Sequence, residues 1–421
     1  MTLPRDRRRR QVTLPRDRRW LGPVLLGVTA TVFAAAAPAS ALGPPALSVT
    51  AATLVAPSTG QQLDGVAPNA EVPIASTTKL MTALITLEHV RHLGQVFTMP
   101  DWYASSADSQ IGLRPGDRMT VHDLLLALML PSADDAAEDL GYNVGDRSVA
   151  RFIGMMNARA RQLGLTHTHY STPIGLDTPG NYSSASDLVK LADYLLTHSR
   201  FFARIVAEPS ATLDTGPQHH VVNRNDLVAR FKWINGVKTG HTNGAGYVLV
   251  ASATRGGLTL LSAVLGTSSI AARDANTMAL LNWGYGNFRL VTPVKAGEVM
   301  ARLPVADRPG FRAAVIAESS FTRVVDIGAR VSLKVATPHQ LTGPLKRHAV
   351  VGYMFVRAGR RTLARIRLLL ANKLAAVSPL TIAARFITRP ITLLLALVLV
   401  GLLILILIRR RGRGRAQADP E

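Results

Sequence analysis

Apolar residues recur at helical spacing in Ala75–His89, at Leu80, Met81, Leu84, Ile85 and Leu87, and predict a largely buried helix. Val121–Leu130, Val149–Leu163 and Ser186–Thr197 read as three further helices. Around them the pattern shortens. Thr53–Ala56 and Gln61–Leu63 flank a Pro-Ser-Thr-Gly turn and predict a hairpin. Tyr247–Ala253 and Leu258–Leu265 are apolar runs joined through Thr254-Arg255-Gly256-Gly257, which predicts a second. Strands at both ends with helices between them predict an α/β domain around an antiparallel sheet over residues 51–290. Residues 292–376 change character, to short β-like segments separated by Pro/Gly turns, such as Arg330–Ala336 and Ala349–Arg357. In Thr362–Leu370, Arg365 and Arg367 alternate with Ala364, Ile366 and Leu368. This segment predicts a small all-β domain.

The two ends carry apolar runs of another kind. A basic stretch is followed by uncharged residues from Trp20 through Ala37 and by Ala39-Ser40-Ala41. Charged, apolar and small-residue regions in that order predict a signal peptide over 1–41, cleaved after Ala41. A retained N-terminal anchor is the alternative. Thr2–Arg8 and Thr13–Arg19 are the same heptapeptide, TLPRDRR, and read as a duplicated basic region without chemistry. Residues 42–50 form a Pro/Gly linker. At the other end Ile391–Ile408 has no charge. As a helix it rises about 27 Å, enough to cross a hydrocarbon core. Arg409, Arg410, Arg411, Arg413 and Arg415 follow it, against Arg385 and Arg389 before it. That asymmetry predicts a transmembrane helix at 391–408 behind a juxtamembrane linker, 377–390, with a basic tail, 409–421, in the cytoplasm. The chain is then exported and anchored in the cell membrane, its central part on the outer face.

Charge fits this division. The 421 residues carry 48 Lys+Arg against 27 Asp+Glu, a net +21. Residues 1–19 hold eight Arg and two Asp, 345–389 hold ten basic residues and no acid, and 409–421 hold five Arg, one Asp and one Glu. Residues 20–344 hold 25 basic and 23 acidic residues and are nearly neutral. A nucleic-acid partner is therefore not expected, because the excess flanks apolar runs. Zero cysteine excludes disulfides, thiolate metal sites and a Cys nucleophile. No phosphate-binding glycine motif follows a strand, and there is no H-E-x-x-H. His219-His220 reads as a surface loop, and no cofactor or metal is expected.

Candidate chemistry sits at three places. Ser76-Thr77-Thr78-Lys79 opens the buried helix, and its i, i+3 spacing puts hydroxyl and amine on one face. A serine needs a base to become a nucleophile, and a lysine serves if burial and a second cation lower its pKa. The helix N-terminus offers N–H groups to a developing oxyanion. Lys238-Thr239-Gly240 lies just before the Tyr247 strand, on an expected edge that an extended peptide can pair with. Lysine and threonine there suit a carboxylate, and glycine lets a backbone approach. Ser132-Ala133-Asp134 follows an apolar helix and Pro131. S-x-x-K, then S-D-N, then K-T-G is the motif order of penicillin-binding proteins and class A β-lactamases.

At these residues the chain resembles the low-molecular-weight penicillin-binding proteins of the D-alanyl-D-alanine carboxypeptidase family. The resemblance extends through Ile74–Ala83, Leu113-Arg114-Pro115-Gly116-Asp117, Met156-Asn157-Ala158, Leu163-Gly164-Leu165, Gly175-Leu176-Asp177 and Gly236–Thr242. It covers roughly 51–285; over 292–376 it is less specific. It implies the penicillin-binding/β-lactamase-like serine transpeptidase fold, an α/β (α+β) antiparallel sheet with a helical cluster. It also implies roles: Ser76 as nucleophile on the penultimate D-Ala carbonyl of a peptidoglycan stem peptide, Lys79 as base, and Ser132 as proton relay. Lys238 and Thr239 would hold the terminal carboxylate. The N–H groups of Ser76 and His241 would form the oxyanion hole. Gly240 and Asp134 would belong to the substrate-binding surface, and β-lactam antibiotics would acylate Ser76.

Three departures stand out. The family normally has Asn where this chain has Asp134. An ionised carboxylate only accepts hydrogen bonds, so it either holds Lys79 protonated or is tolerated as an acceptor. Asp135 and Glu138 add negative charge nearby. Ser171-Thr172-Pro173 stands where the family often has Asn before Pro. Many members end in an amphipathic helix, whereas this chain has a full apolar span. A penicillin-binding adaptor of low turnover is the alternative reading. A β-lactamase ranks below it, because 165–185 contains no Glu-x-x-x-Asn-like segment.

Overall fold

Val248–Ala253 is buried at every position, as a strand is when both its faces are covered. The computed structural model describes residues 43–105, 108–306, 308–376, 378 and 390–415. The expected signal peptide and nearly all of the expected juxtamembrane linker lie outside the described residues. In chain order come β1 (Ala51–Ala56), β2 (Gln61–Val66) and a 3-10 turn over Ala75–Thr78 that runs into α1 (Lys79–His89). A ribbon of β3 (Val96–Thr98) and β4 (Arg118–Thr120) leads to α2 (Val121–Met129), α3 (Asp134–Val144) and α4 (Val149–Gln162). Then follow α5 (Ala185–His198), α6 (Arg200–Ile205), β5 (Ser210–Thr212), β6 (His220–Val222) and α7 (Leu227–Arg230). β7 (Ile234–Thr242), β8 (Gly246–Arg255), β9 (Leu258–Thr267) and α8 (Ile270–Asn287) complete this part.

The sheet has the order β2-β1-β9-β8-β7 and is antiparallel throughout. Alternation along β8 divides its side chains between two cores. Val248 and Val250 join the cluster formed with α1 to α5. Leu249 and Ala251 join Leu280 and Leu281 of α8 on the opposite face. Hydroxyls cap the starts of α2, α4, α5 and α8: Thr120 accepts from Asp123 N, Ser148 from Arg151 N, Ser184 from Asp187 N and Ser269 from Ala272 N. Both expected hairpins form, and β7 is an edge strand as expected. Differences are found as well. Ala75–Thr78 is a 3-10 turn rather than α-helix, α3, α6, α7 and α8 are helices the apolar pattern did not mark, and His220 begins a strand rather than lying in a loop.

The remaining strands are β10 (Phe288–Val294), β11 (Val299–Val305), β12 (Arg308–Ala317), β13 (Phe321–Asp326), β14 (Val331–Ala336), β15 (Val350–Ala358) and β16 (Arg361–Leu370). β10 pairs with β13, and the other five form a sheet of order β11-β12-β16-β15-β14 over a core that includes Val315, Met354 and Ile366. Gln61 on β2 ties the two parts together, donating to Val324 O at 3.2 Å and accepting from Val324 N at 3.0 Å. The last element, α9 (Pro390–Arg415), contains one segment, Pro390–Arg410, long and apolar enough to cross a membrane by length and composition.

Candidate active site

Two glycines set the surroundings of Ser76. Gly175 has φ +98°, and a Cβ there would lie 2.2 Å from Ala75 O, so only glycine lets that loop close on the turn bearing Ser76. Gly240 on β7 is similar: a Cβ would lie 2.8 Å from Ser76 N and 2.9 Å from the Ala75 Cβ. The Lys238–His241 segment is thereby laid beside the Ser76 amide. The turn is fastened from both sides. Thr77 Oγ1 donates to Ile74 O at 2.6 Å, and Asn181 Nδ2 donates to Thr78 Oγ1 at 3.0 Å.

Lys79 is the first residue of α1 and is completely buried. Its Nζ lies 3.1 Å from Ser76 Oγ, 2.5 Å from Asp134 Oδ1 and 2.6 Å from Ile174 O. Burial pushes its pKa below the ordinary ammonium range. The Asp134 carboxylate opposes that shift, and the positive charge of Arg224 adds to it. Asp134 therefore sits against the lysine that faces Ser76. Ser132 stands in the turn between α2 and α3 with φ +69°, a strained conformation for a non-glycine residue. Its Oγ is buried and has no hydrogen-bond partner among the described residues.

Lys238 is also buried, and its Nζ donates to Thr239 O at 3.1 Å. Burial lowers its pKa well below the ordinary value, and Lys79 and Arg224 lower it further. Thr239 is buried beside it, while His241 is exposed and stacks on Tyr247 with ring centroids 3.9 Å apart. Arg224 thus acts electrostatically on both lysines, and Asp134 opposes it at each. Two lysines and an arginine against the Asp134 carboxylate leave a positive balance suited to an anionic group. No cluster of three or more His, Asp or Glu among the described residues is placed to hold a metal ion.

Several contributors were not legible in the motifs. Asp177 braces the β7–β8 turn, accepting from Thr242 Oγ1 at 2.6 Å and from Gly244 N at 2.8 Å. The Ile174 carbonyl is a third partner for Lys79, on a loop held by Thr82 Oγ1 donating to Pro173 O at 2.6 Å. Arg224 is placed by its backbone N–H on Leu130 O at 3.0 Å. Asp135 is not a free charge in the site. It accepts from the N–H groups of Ile111, Gly112, Leu113 and Ala136, pinning the 111–113 segment, although burial raises its pKa. Burial also raises Glu138, and it raises Asp139 to about 7.

The family model for D-alanyl-D-alanine carboxypeptidases, Peptidase_S11, matches residues 38–269. The chain belongs to this family. It is 34% identical to the D-alanyl-D-alanine carboxypeptidase DacA of Escherichia coli over 249 residues, 57% of this chain and 60% of that protein. It is 35% identical to DacC of the same organism over 294 residues, 66% of this chain and 72% of that protein. The chain therefore spans less than two thirds of DacA. Among solved structures it is similar to penicillin binding protein 5 from Haemophilus influenzae, with a TM-score of 0.65 and 26% identity. That match covers 79% of this chain and 99% of the other. The expected serine transpeptidase fold is the observed one.

Proposed function

We propose that this chain is a serine-type D-Ala-D-Ala carboxypeptidase that removes the terminal D-alanine from peptidoglycan stem peptides through an acyl-enzyme on Ser76. The observation that carries this reading is the buried Lys79 amine, 3.1 Å from Ser76 Oγ and shifted toward its neutral form. Lys79 accepts the hydroxyl proton as Ser76 Oγ bonds to the penultimate D-Ala carbonyl carbon. The oxyanion is received by the N–H groups of Ser76 and His241. The C–N bond breaks, the proton passes through Lys79 and Ser132 to the departing amine, and D-alanine leaves. Water then hydrolyses the ester and frees Ser76. The unpartnered Ser132 Oγ is suited to this relay, because it holds no competing bond among the described residues. Lys238 and Thr239 receive the terminal carboxylate, whose negative charge opposes the lowering of the Lys238 pKa by burial. β-Lactams acylate Ser76 by the same route.

In this reading residues 51–290 are the catalytic domain and 292–376 the small β-rich domain. Residues 391–408 anchor the chain in the cell membrane, with catalysis on the outer face. Incubation with a stem-peptide mimic ending in D-Ala-D-Ala is expected to release free D-alanine from the wild type and none from Ser76→Ala. The Lys79–Asp134 ion pair favours one second reading, a penicillin-binding adaptor with little turnover. Penicillin labelling of the wild type without D-alanine release would select it.

A further inference from the structure

The all-β part presents a sheet face whose chemistry the carboxypeptidase reading leaves unused. Along Ala313–Ala317, Met354–Arg357 and Arg365–Leu370 buried positions alternate with partly or fully exposed ones, so one side of this sheet is core and the other is more open. The register sets Tyr353 opposite Arg367, and Phe355 between Arg365 on one side and Lys334 on the other. Arg302 and Arg312 extend the same side across β11 and β12. Arg365 lies over the Tyr353 ring, 3.6 Å from its centroid. Glu318, at the margin, accepts from Arg367 at 2.6 Å. The face thus combines several exposed guanidinium and ammonium groups with two aromatic rings and one marginal acid.

We propose that this face docks on the anionic lipid surface of the membrane that holds the chain. Cations beside amphipathic aromatic rings are the composition that sits at a charged lipid interface. The chain's own connectivity favours lipid over other polyanions. This sheet is the last domain before α9, and residues 377–389 between them reach at most about 50 Å when fully extended. A tether of that length keeps the face at high local concentration near the bilayer. Docking would fix the height and tilt of the Ser76 cleft above the membrane. The proposal rests on the anchor reading of α9, and the experiment separates the two.

The chain has no cysteine, so Ser332→Cys on β14 and Ser58→Cys on the β1–β2 turn each supply a single thiol for a fluorophore. Full-length chain is reconstituted in neutral phosphatidylcholine vesicles and in vesicles that also contain phosphatidylglycerol, each carrying a headgroup quencher. The label at 332 is expected to be quenched about twofold more in the anionic vesicles. This difference should vanish in about 1 M salt, where screening shortens to about 3 Å. It should also vanish in Arg365→Glu/Arg367→Glu with an unchanged melting temperature, while the label at 58 reports no difference. Equal quenching in both vesicles, or an unaffected double variant, would overturn the proposal. Protection of the label by a soluble glycerol-phosphate polymer, without dependence on lipid charge, would overturn it in favour of an acidic wall polymer. Flotation with anionic but not neutral vesicles would overturn the anchor reading and support the face.

Discussion

Lys79→Met is expected to lower the rate of acylation at Ser76 by about 10²–10⁴-fold, the usual contribution of a positioned general base. It should also cost the fold about 3–5 kcal/mol, because it leaves the buried Asp134 carboxylate without a partner. The two effects have different origins and separate in a double variant. Lys79→Met/Asp134→Asn removes both charges from the pocket and should recover most of the melting temperature while remaining unable to acylate. Thermal melts and stopped-flow acylation by a chromogenic β-lactam read the two quantities side by side. A double variant that regained acylation along with stability would show that Lys79 acts through folding alone.

Asp134→Asn is the second large effect, and its sign follows from the site. The carboxylate 2.5 Å from Lys79 Nζ opposes the lowering of the lysine's pKa by burial. Replacing it with an amide keeps an acceptor for Lys79 and removes the charge. Lys79 then falls further, more of it is neutral at a given pH, and the acid limb of acylation moves to lower pH. Below both limbs the variant is expected to acylate faster than the wild type, by about tenfold for each unit the limb moves. Stability moves with pH as well. Lys79 has a folded pKa below its unfolded value, so the unfolded chain binds more protons between the two values and stability rises with pH across that window. The variant should therefore lose more stability than the wild type as the pH falls below the ordinary lysine range. An acid limb that stays in place would show that Asp134 does not govern the base. A limb that moves together with a gain in D-alanine release would mark Asp134 as a brake on turnover in this chain.

The parts of this fold that could be read from the sequence are those fixed by short-range pattern. The i, i+3 spacing of Ser76 and Lys79 survives in a 3-10 turn because it still brings Nζ to 3.1 Å from Oγ. The Tyr247 and Leu258 runs gave their hairpin because apolar segments around a Gly-Gly turn have few other outcomes. α8 was not marked. Its small and apolar residues are spread around the helix, and it is fastened by the Leu54 and Leu260 side chains that crowd Gly284. α3 was hidden for another reason: Asp134 and Asp135 in its first turn read as charge near the site. In the structure one pairs with Lys79 from 55 residues away, and the other holds amides 22 to 24 residues upstream. The Ile174 carbonyl and Arg224 reach the site only through loop closure and strand order, which no local spacing encodes.

The central claim is that Ser76 is the acylated residue, and it is tested most directly by mass spectrometry of the chain after incubation with penicillin. The wild type is expected to gain one penicilloyl group, carried on Ser76 in the digested peptide, and Ser76→Ala to gain none. A penicilloyl group on another residue, or one that persists in Ser76→Ala, would contradict the account.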